Sequence, residues 1–356
     1  MRYYFIDPSC DNVGGKGYEF EDYFLEAQGC ARLAIKRLQS DTDSDFARVF
    51  SIIYKTPKTD TAKYPMPMLY AHQQDLYEAE WLALGEKTIY EHVMAALNDF
   101  ASGWERTKAR QKADVRIYSD DGSRYQYVPG DDKKVDTVNY MWMDGAWDAI
   151  PAKTLGFTTY YTVNYADRTP PRPDRFEKPM RAVIQLLPSA WTRMVSYDEP
   201  SSLTQLQRCI EIHAVDGWPR ELHANDWCNG LVTNTIAHEF MHTQAYGFDD
   251  GSNNDPIARI CHGGWAHVMG EIKDTVWHDA EAFTCLLMAA GFAELKSYGM
   301  TKGGFTIDRS WDQIPGDHDM KVDPLFPGYM PNAILPTRKT QLPPAPLSFM
   351  KILPSR

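Results

Sequence analysis

The 356-residue sequence has no CxxC pair, and its six cysteines (Cys10, Cys30, Cys209, Cys228, Cys261 and Cys285) lie far apart. That spacing argues against a zinc ribbon or a dense disulfide framework and favours free thiols. Positive charge is also short: 37 Lys and Arg face 48 Asp and Glu, for a formal charge of -11. The bulk field therefore repels nucleic acid and anionic lipid, and neither is expected as a partner. Long apolar runs are missing. The longest nearly unbroken one, Cys285 to Ala293, is about half of the roughly 18 to 20 residues that span a bilayer. The opening Met1-Arg2-Tyr3-Tyr4-Phe5-Ile6, followed by Asp7 and Pro8, is shorter than the apolar core of about 7 to 15 residues in a secretory leader. A cytoplasmic location is expected as the chain is written, and a secreted one if a leader has been removed. No repeat occurs at solenoid periods. What remains is an ordinary globular composition, 43% hydrophobic, 13% aromatic and 24% charged.

Helical periodicity opens the chain. Phe24, Leu25, Ala31, Leu33, Ala34 and Leu38 recur at three-four spacing, which predicts a helix over 18–38 with acidic residues at its start. The same spacing in Leu76, Trp81, Leu82, Ile89, Val93, Leu97 and Phe100 predicts a second long helical region from Gln74 to about Gln111, broken near Gly85. From Val115 to Trp191 the character changes to short aromatic and β-branched runs. Asp121-Gly122, Pro129-Gly130 and Asp144-Gly145 punctuate them as hairpins do. The clearest strand is Arg181 to Leu187, ended by Pro188, and Thr169-Pro170-Pro171-Arg172-Pro173 reads as a loop. Trp142, Trp147 and Trp191 read as core or cleft wall. Nine prolines follow Trp311, as in an extended tail.

The segment Thr235-Ile236-Ala237-His238-Glu239-Phe240-Met241-His242-Thr243 carries the HExxH pattern. On a helix, residues four apart lie one above the other, so both imidazoles can reach one tetrahedral ion at about 2.0 to 2.1 Å. Glu239 stands about 100° round the axis from His238, placed to act as a base rather than as a ligand. His238 and His242 are thus the candidate Zn2+ ligands and Glu239 the candidate general base. A catalytic zinc needs a third protein ligand. The extended pattern HExxHxxGxxH fails at Ala245 and Phe248, which argues against a metzincin. Carboxylates that could complete the site are Asp249, Asp250, Asp255, Glu271 and Glu281, with His262 and His267 as further donors.

Downstream come Asp249-Asp250-Gly251 and Asp255-Pro256-Ile257, then Val268-Met269-Gly270, then Asp279-Ala280-Glu281-Ala282-Phe283. HExxH, an aspartate near a glycine-rich turn, a V-aromatic-G triplet and an Asn-Ala-Asp-x-aromatic helix follow the same order in the deuterolysin and peptidyl-Lys metalloendopeptidase family, the aspzincins. This chain resembles that family, chiefly over 183–291, and Ile6-Asp7-Pro8-Ser9-Cys10 is similar to the start of its catalytic domain. The resemblance implies an aspartate as third zinc ligand, and Asp255 is preferred because it leads through Pro256-Ile257 toward Val268-Met269-Gly270. It also implies that Glu281 is the carboxylate that orients a ligand histidine. The chain departs from the family at Met269, where the family has a tyrosine resembling an oxyanion donor; methionine cannot donate a hydrogen bond. His267, His262 and Tyr246 are the candidate replacements.

The expected fold class is α+β: a zincin-like metalloprotease fold with long N-terminal helices, a small mixed sheet and an HExxH active-site helix. One domain is expected over 1–310, with a helical scaffold in 1–112, a strand and loop region in 113–200 and metal-site helices in 201–300; a Pro-rich extension covers 311–356. The expected activity is zinc-dependent cleavage of amide bonds in a peptide substrate. Two alternatives stand beside it: a zinc hydrolase or lyase acting on a small molecule, and an inactive zincin-fold binding protein.

Overall fold

The computed structural model describes residues 2–11, 20–64, 85–120, 122–127, 134–139, 141–143, 155–160, 182–187, 206–207, 231–243, 268–269, 273–295, 298–301, 304–306 and 321–322. Helix α1 (Phe20–Gln39) begins with Glu21 and Asp22 and ends with Lys36 and Arg37, charges that suit the two ends of the helix dipole. Its buried stripe of Phe20, Phe24, Ala27, Ala31, Ala34 and Leu38 agrees with the predicted periodicity. Helix α2 (Ser44–Tyr54), which the sequence reading did not single out, is capped by the Asp43 carboxylate accepting from the Phe46 N–H at 3.0 Å.

The second predicted helix is corrected over the stretch that follows its expected break near Gly85. Residues 65–84 lie outside the described residues, and Lys87–Thr88 is a short strand, β3, paired with β2 (Lys63–Tyr64). Helix α3 (Ile89–Ser102) starts at a capping box between Thr88 and Glu91 and stops at Gly103 instead of running to Gln111. A Cβ at Gly103 would stand 2.5 Å from the Asp99 carbonyl oxygen, so only glycine fits this turn. The next residues, Trp104–Arg106, form strand β4 and pair in parallel with β1 (Arg2–Ile6). Residues 1–112 are therefore more than a helical scaffold, because two strands of the central sheet come from them.

That sheet has the order β4-β1-β5-β10-β9, with β5 at Val115–Tyr118, β9 at Gly156–Tyr160 and β10 at Ala182–Leu186. Four strands run parallel and β9 runs antiparallel along β10. Residues of β5 and β10 are buried on both faces, as expected for strands covered on each side. In register, Ile6, Ile117, Ile184 and Thr158 form one row across the sheet. Because alternate residues share a face, Gly156 and Thr158 lie on the side that carries Ile184 and Leu186.

The opposite face is covered by the antiparallel sheet β6 (Tyr125–Tyr127), β7 (Lys134–Asp136) and β8 (Met141–Met143). A buried polar network joins the two layers. Arg124 donates to Asp136 at 2.9 Å, also bonds Asp120 and Gln185, and lies 4.0 Å from the Tyr118 ring centre. Arg116 and Tyr118 both donate to Asn139 Oδ1, at 2.8 and 3.1 Å. The charges of Arg124 are thus satisfied by carboxylates, and burial of polar groups at this depth requires that they be.

On the helical face, α1 packs against α3, against helix α4 (Val232–His242) and against helix α6 (Ala280–Leu295); the one-turn helix α5 is Lys273–Val276. Arg37, fully buried, bonds Asp43 at 2.7 Å and Glu294 at 2.6 Å, which ties α1 to the cap of α2 and the end of α6. The apolar centre is aromatic. Phe240 of α4 meets Phe24 with ring centres 4.5 Å apart, Trp104 at 5.3 Å, Phe100 at 6.0 Å and Tyr4 at 6.1 Å. No helix among the described residues is long and apolar enough to cross a membrane. Strands β11 (Tyr298–Thr301), β12 (Gly304–Thr306) and β13 (Lys321–Val322) form a small separate sheet.

Two outcomes follow from this packing. Phe240→Ala empties the hub of four aromatic contacts and should lower the unfolding free energy by about 3–5 kcal/mol, read from urea unfolding curves. Burial pushes the Cys10 and Cys30 thiols well above their ordinary range. Both should resist alkylation in the native chain and react once it is unfolded, as mass mapping of the labelled cysteines would record.

Candidate metal centre on the HExxH helix

Helix α4 has no side-chain cap and owes its place to tertiary contacts. Thr233 in its first turn donates to Glu26 Oε2 of α1 at 2.7 Å, and the other oxygen of Glu26 accepts from the Leu206 N–H at 2.9 Å. Phe240 lies about 200° round the helix from His238 and about 160° from His242. Seating its ring in the aromatic hub therefore turns both imidazoles away from the core. What little exposure α4 retains follows that geometry. Asn234, Thr235, His238, Glu239 and His242 keep 5–7% each, whereas Val232, Thr233, Ile236, Ala237, Phe240 and Met241 keep none. The five form one stripe at helical spacing.

Within the stripe, the Nε2 atoms of His238 and His242 approach to 3.1 Å, with the rings 78° apart. Two nitrogens bound to one tetrahedral ion at about 2.0 to 2.1 Å stand about 3.4 Å apart, so the pair fits a single zinc with small adjustment. The far side of His238 fits as well: Nδ1 lies 3.3 Å from Glu281 Oε2. A carboxylate accepting from Nδ1–H leaves Nε2 with its lone pair bare, the form that a metal requires.

Glu281 reaches this position because α6 starts just before it. Asp279 caps the helix, its Oδ1 accepting from the Ala282 N–H at 2.7 Å. Glu281 was a candidate both for orienting a histidine and for ligation; its Oε2 meets the ring nitrogen remote from the Nε2 pair.

Glu239 is held by strand β9. Thr158 Oγ1 lies 2.6 Å from Glu239 Oε2 and 3.1 Å from the carbonyl oxygen of the same residue. A Cβ on Gly156 would stand 3.4 Å from Glu239 Cγ. Neither Gly156 nor Thr158 was singled out in the sequence. Gly156-Phe157-Thr158-Thr159-Tyr160 has the composition of a strand, and nothing in it says which helix the strand will touch.

Asp255, Asp249, Asp250, Glu271, His262, His267 and Tyr246 all lie outside the described residues, as do Trp147 and Trp191. Among the described residues no group of three His, Cys, Asp or Glu side chains could hold a metal; the two imidazoles stand as a pair. Met269 packs partly buried against the core and lies 3.5 Å from Lys55 Nζ through its sulfur. If the imidazole pair holds zinc, removing the carboxylate behind His238 should loosen the ion without abolishing its binding. Glu281→Ala is expected to weaken zinc affinity about 10–100-fold, measured by competition with a chromogenic chelator.

No protein-family profile, no curated protein and no solved structure matches this chain.

Proposed function

We propose that this chain is a zinc-dependent hydrolase of zincin-like fold, an aspzincin-type metalloendopeptidase that cleaves amide bonds. The observation that carries the reading is the 3.1 Å approach of His238 Nε2 and His242 Nε2, with Glu281 behind one ring and Glu239 between them along the chain. His238 and His242 hold the ion in this reading, and Asp255 completes the protein ligands. Zinc at such a site supplies Lewis acidity, polarising a carbonyl and acidifying water.

The chain's own residues supply the proton chemistry. Glu239 Oε2 is bonded by Thr158, and Oε1 has no protein partner among the described residues. Oε1 is therefore the atom that takes a proton from the attacking water and returns it to the leaving amine. Burial of Glu239 and both imidazoles keeps bulk water from competing for these groups. Glu281 holds the Nδ1 proton of His238 and so fixes the tautomer throughout.

The same burial favours a second reading, a zinc hydrolase or lyase acting on a small molecule, because the described stripe offers only narrow access. One experiment separates the two and tests both. The purified zinc-loaded chain is offered a denatured protein and a peptide library. Cleavage that a chelator abolishes and zinc restores is the expected result, and Glu239→Gln should lower turnover about 10²–10⁴-fold with zinc still bound. A zinc-loaded chain inert toward every peptide would remove the endopeptidase reading and leave the small-molecule one.

A further inference from the structure

We propose that strand β9 is a built seat for the Glu239 side chain, in which Thr158, a positioning residue, holds its carboxylate. The inference rests on the reading of Glu239 as the proton carrier and names what aims it.

The hydroxyl of Thr158 has one proton and two acceptors within reach, both on Glu239: Oε2 at 2.6 Å and the main-chain oxygen at 3.1 Å. The shorter contact is a charge-assisted bond to a carboxylate, the stronger kind. A single hydroxyl thus spans the two ends of one residue and restricts the rotations between them, each of which otherwise has several staggered wells. Two residues earlier on the same face, Gly156 lies against Glu239 Cγ, and an added Cβ would also come within 3.2 Å of the Gln185 carbonyl oxygen and 3.3 Å of Leu186 Cδ2. The side chain therefore runs beside Gly156 and is gripped at its tip by Thr158.

The seat is stiff because of where it stands. Thr158 ends the row of Ile6, Ile117 and Ile184, three buried side chains on three parallel strands. Its backbone is held by the register of β9 on β10, Ile184 opposite Thr158 and Leu186 opposite Gly156. A group supported by a packed sheet is held more closely than one supported by a loop. For a proton carrier that closeness matters, since displacement by about 1 Å can cost on the order of 10²-fold in rate.

The test uses the full, zinc-loaded chain with Thr158→Val, which keeps the branched shape and lacks the hydroxyl, and Thr158→Ser, which keeps the hydroxyl. Thr158→Ala repeats the comparison without the added methyl bulk. Crystal structures of each give the Glu239 rotamer independently of activity. One rotamer is expected in the parent and the Ser variant, and several in the Val and Ala variants, with zinc stoichiometry equal in all. On a peptide the parent cleaves, kcat should fall about 10–100-fold in Val and Ala with KM changed less than about twofold, and Ser should recover the parental kcat to within about threefold. A single unchanged Glu239 rotamer in the Val and Ala variants, parental kcat in them, or no recovery in Ser would each overturn the proposal. A parent that cleaves nothing would defeat the hydrolase reading alone, and the rotamer comparison would then decide the seat by itself.

Discussion

The position of Phe240 in the aromatic hub is the constraint from which the site geometry follows. A helix buried along its whole length has no solvent face to set its rotation, so side-chain fit must set it. The Phe240 ring, enclosed by Phe24, Phe100, Trp104 and Tyr4, fixes that rotation from α1, α3 and two strands at once. The two imidazoles then have one direction in which to point. Three polar contacts hold the same angle from other sides: Glu26 on Thr233, Glu281 on His238 and Thr158 on Glu239. Each is a buried carboxylate with a partner, the condition under which a charge is tolerable away from water.

The fold was readable in the sequence where one element buries one stripe or one continuous run. The apolar spacing of α1 and the run of β10 are both of this kind, and each element lies where the pattern predicts it. Legibility failed where the determining contact is distant in sequence. Trp104 continues the helical spacing of α3, yet its backbone pairs with Arg2 at the start of the chain, and the turn at Gly103 is set by its close approach to Asp99. Helix α2 carries a readable stripe that was not singled out, Phe46, Val49, Phe50, Ile53 and Tyr54 at three-four spacing behind the Asp43 cap. The network of Arg116, Arg124, Asp136 and Asn139 reads in sequence as exposed charge, because nothing local indicates that two sheets will close over it.

In the site, spacing carried the most information. A step of four positions from one histidine to the next is about one turn of helix, and one turn of helix brings the two Nε2 atoms together. The expectation that Glu281 sits beside a ligand histidine came from a resemblance, and its carboxylate lies 3.3 Å from His238 Nδ1. Thr158 and Gly156 could not be read from the chain, since their place beside Glu239 depends on β9 joining β10 antiparallel at that register. The candidates for third ligand, Asp255 foremost, fall outside the described residues.

X-ray absorption at the zinc edge on the purified chain tests most directly whether His238 and His242 grip one ion. The account predicts one zinc per chain with two imidazole nitrogens at about 2.0 Å, and loss of that signal in His238→Ala and in His242→Ala. A chain that takes up no zinc, or whose zinc shows no imidazole scattering, would contradict it.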